Sequence, residues 1–291
     1  MSSSVHIPVL LSECVDALNV QPDGVYVDGT FGGGGHSREI AKLLGENGKL
    51  ISIDQDPEVF ERAESWIEDY PIQTVQANFR KLPIILNELN IKSVNGILLD
   101  LGLSSDQLAD SDRGFSFNAE GELDLRFDPS RGEPAWKLLN RLSARHLADL
   151  IFHNGEERHS RKIAAKIVER RRSKPFREVQ DFVDLVRSVV PRSRNHSIDP
   201  ATRTMQALRI EVNDELGSLD DALKNFPELL ASGGRLAIIS FHSLEDRRVK
   251  HAFRSHDSLE ILTKKPIVSS EEELMVNSRA KSAKLRVAQK I

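Results

Sequence analysis

Apolar and polar positions fall into two rhythms along this chain. Over the first hundred residues, short apolar runs alternate with segments whose apolar residues recur every three or four positions. The runs Gly24–Phe31, Lys49–Asp54, Gln73–Ala77 and Val94–Leu101 predict strands. His36–Leu44, Pro57–Glu68 and Leu82–Leu89 predict helices between them, and Leu11–Leu18 predicts a helix ahead of the first strand. Such alternation implies a parallel sheet with right-handed crossovers. From about Ser105 the rhythm stops. Ser111–Arg131 is rich in turn formers and acids, and helical patterns follow at Ala135–Leu142, Ala144–Phe152, Ser160–Arg172 and Val179–Val189. After Pro200 a long helical region covers Arg203 to Leu230, and Gly233-Gly234 turns into the apolar strand Arg235–Phe241. The pattern predicts one α/β domain, residues 1–104 and 200–291, split by a mainly helical insertion over 105–199.

The first strand runs through Val25-Tyr26-Val27-Asp28-Gly29-Thr30-Phe31 into four consecutive glycines, Gly32 to Gly35, and a helix starting near His36. Glycine serves where backbone must turn tightly or let a ligand come close. A glycine run between strand and helix places a small molecule at the helix N-terminus. About twenty residues on, the second strand ends in Asp54, positioned to accept hydrogen bonds from a ribose diol. The dinucleotide fingerprint begun at Gly32 would want glycine where Ser37 stands, and no phosphate-loop motif ending in Gly-Lys-Ser/Thr occurs. Asp28 at the start of the loop would repel a pyrophosphate and suit a cation. S-adenosylmethionine, with its sulfonium and ammonium, fits best; a dinucleotide and a merely tight structural turn are the other readings of this segment.

Composition narrows the setting. The chain has 291 residues, 39% of them hydrophobic and 29% charged, in the ordinary range for a globular protein. Its single cysteine, Cys14, has no partner for an intramolecular disulfide, and no Cys/His set has zinc spacing. No basic segment followed by an apolar run opens the chain and no stretch approaches a membrane span. The expectation is a cytoplasmic protein with no membrane association and no metal.

The net charge of −4 changes meaning once its distribution is read. Between Arg158 and Arg194 stand twelve basic residues, including Arg161, Lys162, Lys166, Arg170, Arg171, Arg172, Lys174, Arg177, Arg187 and Arg192, against Glu169, Glu178, Asp181 and Asp184. On Ser160–Arg172, Ile163, Ala164, Ile167 and Val168 make one apolar face, and Lys162, Lys166 and Arg170 lie along another. That second face reads equally as a solvated exterior or as a phosphate-binding surface.

Ligands of parallel sheets sit beyond the carboxyl ends of the strands. Three such ends carry chemistry: Asp54, the run Asp100-Leu101-Gly102-Leu103-Ser104-Ser105, and Phe241-His242-Ser243. Asp100 reads as a cofactor or substrate carboxylate, or as a turn cap. His242 reads as a base or as half of a turn pair. No Gly-x-Ser-x-Gly elbow supports a hydrolase. Glu156-Glu157-Arg158 fits salt bridging at a helix start better than acid/base work.

Several long segments together resemble one family. They include His6-Ile7-Pro8-Val9-Leu10-Leu11, the glycine loop through Ser37, Ile53-Asp54-Gln55-Asp56-Pro57 and Leu99 to Ser105. Arg113-Gly114-Phe115-Ser116-Phe117, Gly155 to Arg158, Asp199 to Thr204, Gln206 to Ile210 and Ser240 to Arg247 follow in order. Their order and spacing, from residue 6 to about 287, resemble the bacterial RsmH (MraW) family of S-adenosylmethionine-dependent enzymes, which methylate N4 of a cytidine in the decoding region of 16S ribosomal RNA. The resemblance implies a class I methyltransferase fold, a seven-stranded Rossmann-like sheet with a helical domain inserted after strand four. It implies S-adenosyl-L-methionine contacts at Gly34, Gly35 and His36, at Asp54 on the ribose, at Phe79 beside the adenine, and at Asp100 and Gln107 near the methionine end. Gly33, Asp106, Leu125, Phe127 and Met205 depart from the family's usual residues and bear more on substrate fit than on the cofactor loop.

The implied reaction is in-line methyl transfer to an amine whose lone pair is delocalised into the ring. An acceptor for the amino hydrogens would localise that lone pair, with positioning and electrostatics carrying the rate. Asp100 is the first candidate, and Ser104, Ser105 and His242 would shape the base pocket. The target must be unpaired or flipped. The expected partner is 16S rRNA within the small ribosomal subunit, held by the basic insertion, and the long surface helices are compatible with a homodimer. A methyltransferase for protein or small molecules, and a non-catalytic assembly factor, are the alternatives.

Overall fold

The structure, a computed structural model, describes residues 7–191 and 199–291. His6, Arg192 and Arg194 therefore lie outside the described residues. In chain order the first half holds α1 (Leu11–Leu18), β1 (Val25–Asp28), α2 (Gly35–Lys42), β2 (Lys49–Asp54), α3 (Glu58–Ile67), β3 (Ile72–Gln76), α4 (Leu82–Glu88) and β4 (Val94–Asp100). The chain then leaves the sheet for α5 (Ser105–Ala109), α6 (Ala135–Arg141), α7 (Ala144–Gly155), α8 (Ser160–Arg170), α9 (Val179–Val189) and α10 (Thr202–Asn213). It returns through α11 (Glu215–Leu229), β5 (Leu230–Ser240), α12 (Ser243–Ser255), β6 (Leu259–Ile261), α13 (Glu271–Val276) and β7 (Lys284–Lys290).

The seven strands form one sheet in the order β3-β2-β1-β4-β5-β7-β6. β1 to β5 pair in parallel, while β7 runs antiparallel to both β5 and β6. The inner strands are apolar on both faces because helices cover both. Successive side chains of a strand point to opposite faces. Val27, Ile51, Ile53, Ile97, Leu99, Leu236 and Ile238 accordingly join one core with Leu82, Leu86, Leu219, Phe226, Val249 and Phe253. Tyr26, Leu50, Leu98, Ala237 and Ile239 join the other with Leu10, Cys14, Leu18, Ile40 and Leu285. Each fully buried Leu or Ile contributes about 1.5–3 kcal/mol, and the two cores fix the strand ends that carry the polar residues.

The helical region over Arg203 to Leu230 holds two helices, broken at Asp214, whose φ of 49° is left-handed. Arg209 reaches across the break with hydrogen bonds of 2.8 and 2.9 Å to the two carboxylate oxygens of Glu215. β5 begins at Leu230, before the glycine pair, because its register jumps from Val94↔Leu230 to Gly96↔Arg235. Gly233 (φ 77°) absorbs the extra residues.

The chain clusters into two compact units, Met1–Ser105 with Leu216–Ile291, and Asp106–Glu215. The helical unit extends beyond the expected 105–199, since α10 packs along α7 and so leaves the sheet-bearing segment to begin at Leu216. Within it Ile163, Ala164, Ile167, Phe176, Phe182, Val183 and Val186 are buried.

Candidate functional site

The strand ends of the α/β unit bring three of the expected carboxylates into one electrostatic neighbourhood. Asp28 ends β1 and is 1% exposed. Its Oδ1 accepts from Thr30 N–H (3.1 Å) and its Oδ2 from the Ser37 hydroxyl (2.7 Å). The Ser37 hydroxyl also lies 2.8 Å from that of Ser52 on β2. Burial pushes the Asp28 carboxyl above the usual carboxylate range, with His36 and Ser37 opposing. Asp28 thus fastens the loop from inside and does not present its carboxylate to solvent.

Asp54 ends β2 and faces the loop across from Asp28. Its Oδ2 accepts from Gly32 N–H (2.8 Å) and its Oδ1 from Asp56 N–H (3.0 Å). Burial raises its pKa to about 6, against the pull of those two backbone donors. Each oxygen retains a lone pair for a further donor.

Asp100 ends β4. Its N–H donates to Thr30 Oγ1 (2.6 Å), and its Oδ1 accepts from Gly102 N–H (3.1 Å). Its Oδ2 lies 4.0 Å from Nδ1 of His36, with 11% of the Asp100 side chain exposed. Among the described residues no Lys or Arg pairs with Asp28, Asp54 or Asp100, so the strand ends keep an uncompensated negative field. Such a field repels phosphate and favours a cationic ligand.

The glycines divide by task. Gly32 has φ of 53°, and a Cβ there would find its nearest neighbour, Ser104 Cβ, 3.8 Å away, so this stretch of backbone borders open space. A side chain on Gly34 (φ 74°) would strike Trp66 at 2.5 Å and Phe31 at 2.7 Å. On Gly35 it would meet Pro8 at 2.8 Å. Gly34 and Gly35 are therefore small because protein packs on them, whereas the backbone at Gly32 is open to a ligand. The open backbone at Gly32, the spare lone pairs of Asp54 and the unpaired carboxylates together fit an uncharged ribose and a cationic methionine end.

His36 is 4% exposed and its Nε2 lies 3.0 Å from the carbonyl of Val9. A carbonyl only accepts, so Nε2 carries a proton, and Nδ1 is the ring nitrogen on the Asp100 side. Phe79 follows β3, is 8% exposed and packs edge-on against Phe226 at 6.5 Å. Its Cβ lies 3.2 Å from where a Cβ on Gly29 would stand. Ser104 is buried beside the loop. Ser105 opens α5. Gln107, also buried, belongs to the helical unit.

His242 is the N-cap of α12, its Nδ1 accepting from Glu245 N–H (3.4 Å) while Glu245 Oε2 accepts from the N–H groups of Phe241 (2.8 Å) and His242 (3.3 Å). Its Nε2 is buried and 3.1 Å from Glu245 Oε1, but without hydrogen-bond geometry. Sequence reasoning did not single out Thr30, which ties β1 to Asp100; the hydroxyl in Asp-Gly-Thr-Phe was the available signal. Phe241, named with the third strand end, has its ring 2.7 Å from where a Cβ on Gly102 would stand.

In the helical unit the basic run splits into structural and free members. Arg170 pairs with Asp181 (2.7 Å) and lies 4.6 Å from the Phe176 ring centre. Arg171 donates to the carbonyls of Leu139 (2.6 Å) and Leu142 (2.7 Å). Lys174 shares Asp181, Lys166 pairs with Glu169, and Arg187 with Asp199. Arg158, Arg161, Lys162 and Arg172 are exposed and pair with no carboxylate among the described residues. Glu157 caps the turn into α8 by accepting from His159 N–H (2.7 Å).

A protein of Rhodopirellula baltica named ribosomal RNA small subunit methyltransferase H is 48% identical over 297 residues, 98% of this chain and 91% of that one. Those of the same name from Heliobacterium mobile and a Cyanothece species are 46% and 47% identical, covering 98% and 99% of this chain and 99% and 95% of theirs. The sequence model of the MraW methylase family matches residues 3–291, glycine loop, strand-end carboxylates and helical insertion included, and the chain belongs to that family.

Proposed function

We propose that this protein transfers a methyl group from S-adenosylmethionine to N4 of a cytidine in the decoding region of 16S ribosomal RNA. The observation that carries the reading is the set Asp28, Asp54 and Asp100, three strand-end carboxylates with no Lys or Arg partner beside an open glycine backbone. When bound, S-adenosylmethionine supplies an electrophilic methyl on a sulfonium. Asp54 would hold the ribose hydroxyls with the lone pairs its backbone donors leave over. Phe79 would flank the adenine, and the main chain of Gly34 and Gly35, with His36 and Asp100, would border the methionine end.

For the acceptor, Asp100 is the proposed hydrogen-bond acceptor of the N4 amino group. Its Oδ1 is fixed by Gly102 N–H and its N–H by Thr30, so the carboxylate is held before substrate arrives. Ser104, Ser105 and His242 would shape the base pocket, His242 through the turn it caps. The exposed cations Arg158, Arg161, Lys162 and Arg172 would attract the RNA backbone. We place the substrate in the small ribosomal subunit and the reaction in the cytoplasm; a homodimer is compatible with this use of the surface.

Transfer from methyl-labelled S-adenosylmethionine to small subunits lacking the modification tests the reading. Label in the RNA fraction and not in the subunit proteins is expected. Label in protein would replace the acceptor class.

A further inference from the structure

One peptide unit joins the end of the chain to the site. The carbonyl of Val9 accepts from His36 Nε2 at 3.0 Å, and the N–H of the same peptide, on Leu10, donates to Glu273 Oε1 of α13 at 2.8 Å. A peptide group is rigid and planar, so fixing its N–H fixes where its carbonyl points. Leu10 is fully buried with φ of 53°, a left-handed conformation uncommon outside glycine, which requires its surroundings to hold it. Asn277, also buried, donates from Nδ2 to the Ile7 carbonyl at 3.0 Å and secures the same segment from its other end. Pro8 packs against Gly35.

From these contacts we infer that Glu273 is a positioning residue for the transfer site, acting through the Val9–Leu10 peptide on His36. Two hydrogen bonds lead from Glu273 to the ring, through Leu10 N–H and the Val9 carbonyl, and the ring's Nδ1 then stands 4.0 Å from Asp100 Oδ2, a proximity and not a hydrogen bond. A carboxylate on the N–H end polarises the peptide and strengthens its carbonyl as an acceptor. That holds the His36 ring by its Nε2–H and so fixes where the ring stands beside the Asp100 carboxylate. Asn277 keeps the strap in register, so residues some 170 positions from Asp100 in sequence (273 against 100) place the ring that neighbours it. The inference rests on the reading of this site as the S-adenosylmethionine site.

The test compares wild type, Glu273→Ala and Glu273→Gln. The Gln side chain keeps an acceptor oxygen and is the rescue variant. S-adenosylmethionine affinity is measured by calorimetry, and the His36 tautomer by 15N imidazole shifts, assigned by the signal lost in His36→Gln. Glu273→Ala is expected to weaken binding about tenfold and to move the His36 imidazole 15N signals, and Glu273→Gln to stay within about twofold of wild type in affinity with the wild-type signals. Wild-type affinity and shifts in Glu273→Ala would overturn the inference. So would a lowered thermal midpoint with unchanged binding per folded molecule, or a Gln variant that fails as the Ala variant does. Failure of wild type to bind S-adenosylmethionine would instead remove the site reading, while the His36 shifts would still decide whether Glu273 sets that ring.

Discussion

Replacing Asp54 with Asn should stabilise the free protein at neutral pH and cripple its affinity for cofactor. Burial raises the Asp54 pKa to about 6, from 3.8 in an unfolded chain. A shift of roughly two units at 1.36 kcal/mol each makes the charged carboxylate a burden of about 3 kcal/mol at pH 8. Because the folded value is the higher one, the folded state holds its proton more tightly. Its contribution to stability is present below about pH 4 and disappears as pH rises through about 6. Asn removes the charge but has one acceptor oxygen in place of two, so either Gly32 N–H or Asp56 N–H loses its partner at a cost of about 1–3 kcal/mol. The difference leaves the variant up to about 2 kcal/mol more stable than wild type at pH 8, and less stable than wild type near pH 4.5. Urea unfolding followed by Trp66 fluorescence, in a Trp136→Phe background so that one tryptophan reports on the α/β unit, gives the comparison from pH 4.5 to 8. A midpoint difference that does not change with pH would refute the account of Asp54. With cofactor present the order should invert, since losing a hydrogen bond to a charged group costs about 1.5–3 kcal/mol, or roughly 10- to 150-fold in affinity.

Other consequences are as direct. S-adenosylmethionine affinity should fall as pH drops below about 6, by about tenfold per unit while Asp54 protonation competes with the ribose hydroxyls, as calorimetry across pH would show. Gly34→Ala combines a left-handed φ, worth about 1–2 kcal/mol, with a 2.5 Å approach to Trp66, and should lower the thermal midpoint sharply. Neutralising Arg158, Arg161, Lys162 and Arg172 together should weaken RNA binding and flatten its log–log salt slope by up to about 3, at about 0.7 per charge on single strands, without changing cofactor affinity. Arg171→Ala should instead destabilise the helical unit by about 3 kcal/mol, because two carbonyls lose a charged donor, and thermal unfolding would report it.

What could be read from sequence follows the periodicity of burial. The strands β1, β2 and β4 are buried on both faces, so their apolar runs stand out, and their ends at Asp28, Asp54 and Asp100 follow at once. β6 and β7 were not legible by pattern, because β6 has three residues and β7 alternates charged and apolar positions at the antiparallel end of the sheet. The site was legible as a set of residue types and illegible as a wiring diagram. Nothing in the glycine run distinguishes Gly34, pressed on Trp66, from Gly32, which borders open space; that depends on α3, thirty residues away. Nor does a run of arginines reveal that Arg170 and Arg171 are spent on Asp181 and on the carbonyls ending α6. Nor does His242 beside Ser243 show in sequence that its Nδ1 caps α12 in a box closed by Glu245.

The central claim is the identity of the methylated atom. Small subunits lacking the modification, incubated with the protein and methyl-labelled S-adenosylmethionine, can be digested to nucleosides and resolved by mass spectrometry. The account predicts label in N4-methylcytidine from the decoding region of the 16S RNA, and none with Asp100→Ala. Label in another nucleoside, or no label from a preparation shown to bind the cofactor, would contradict it.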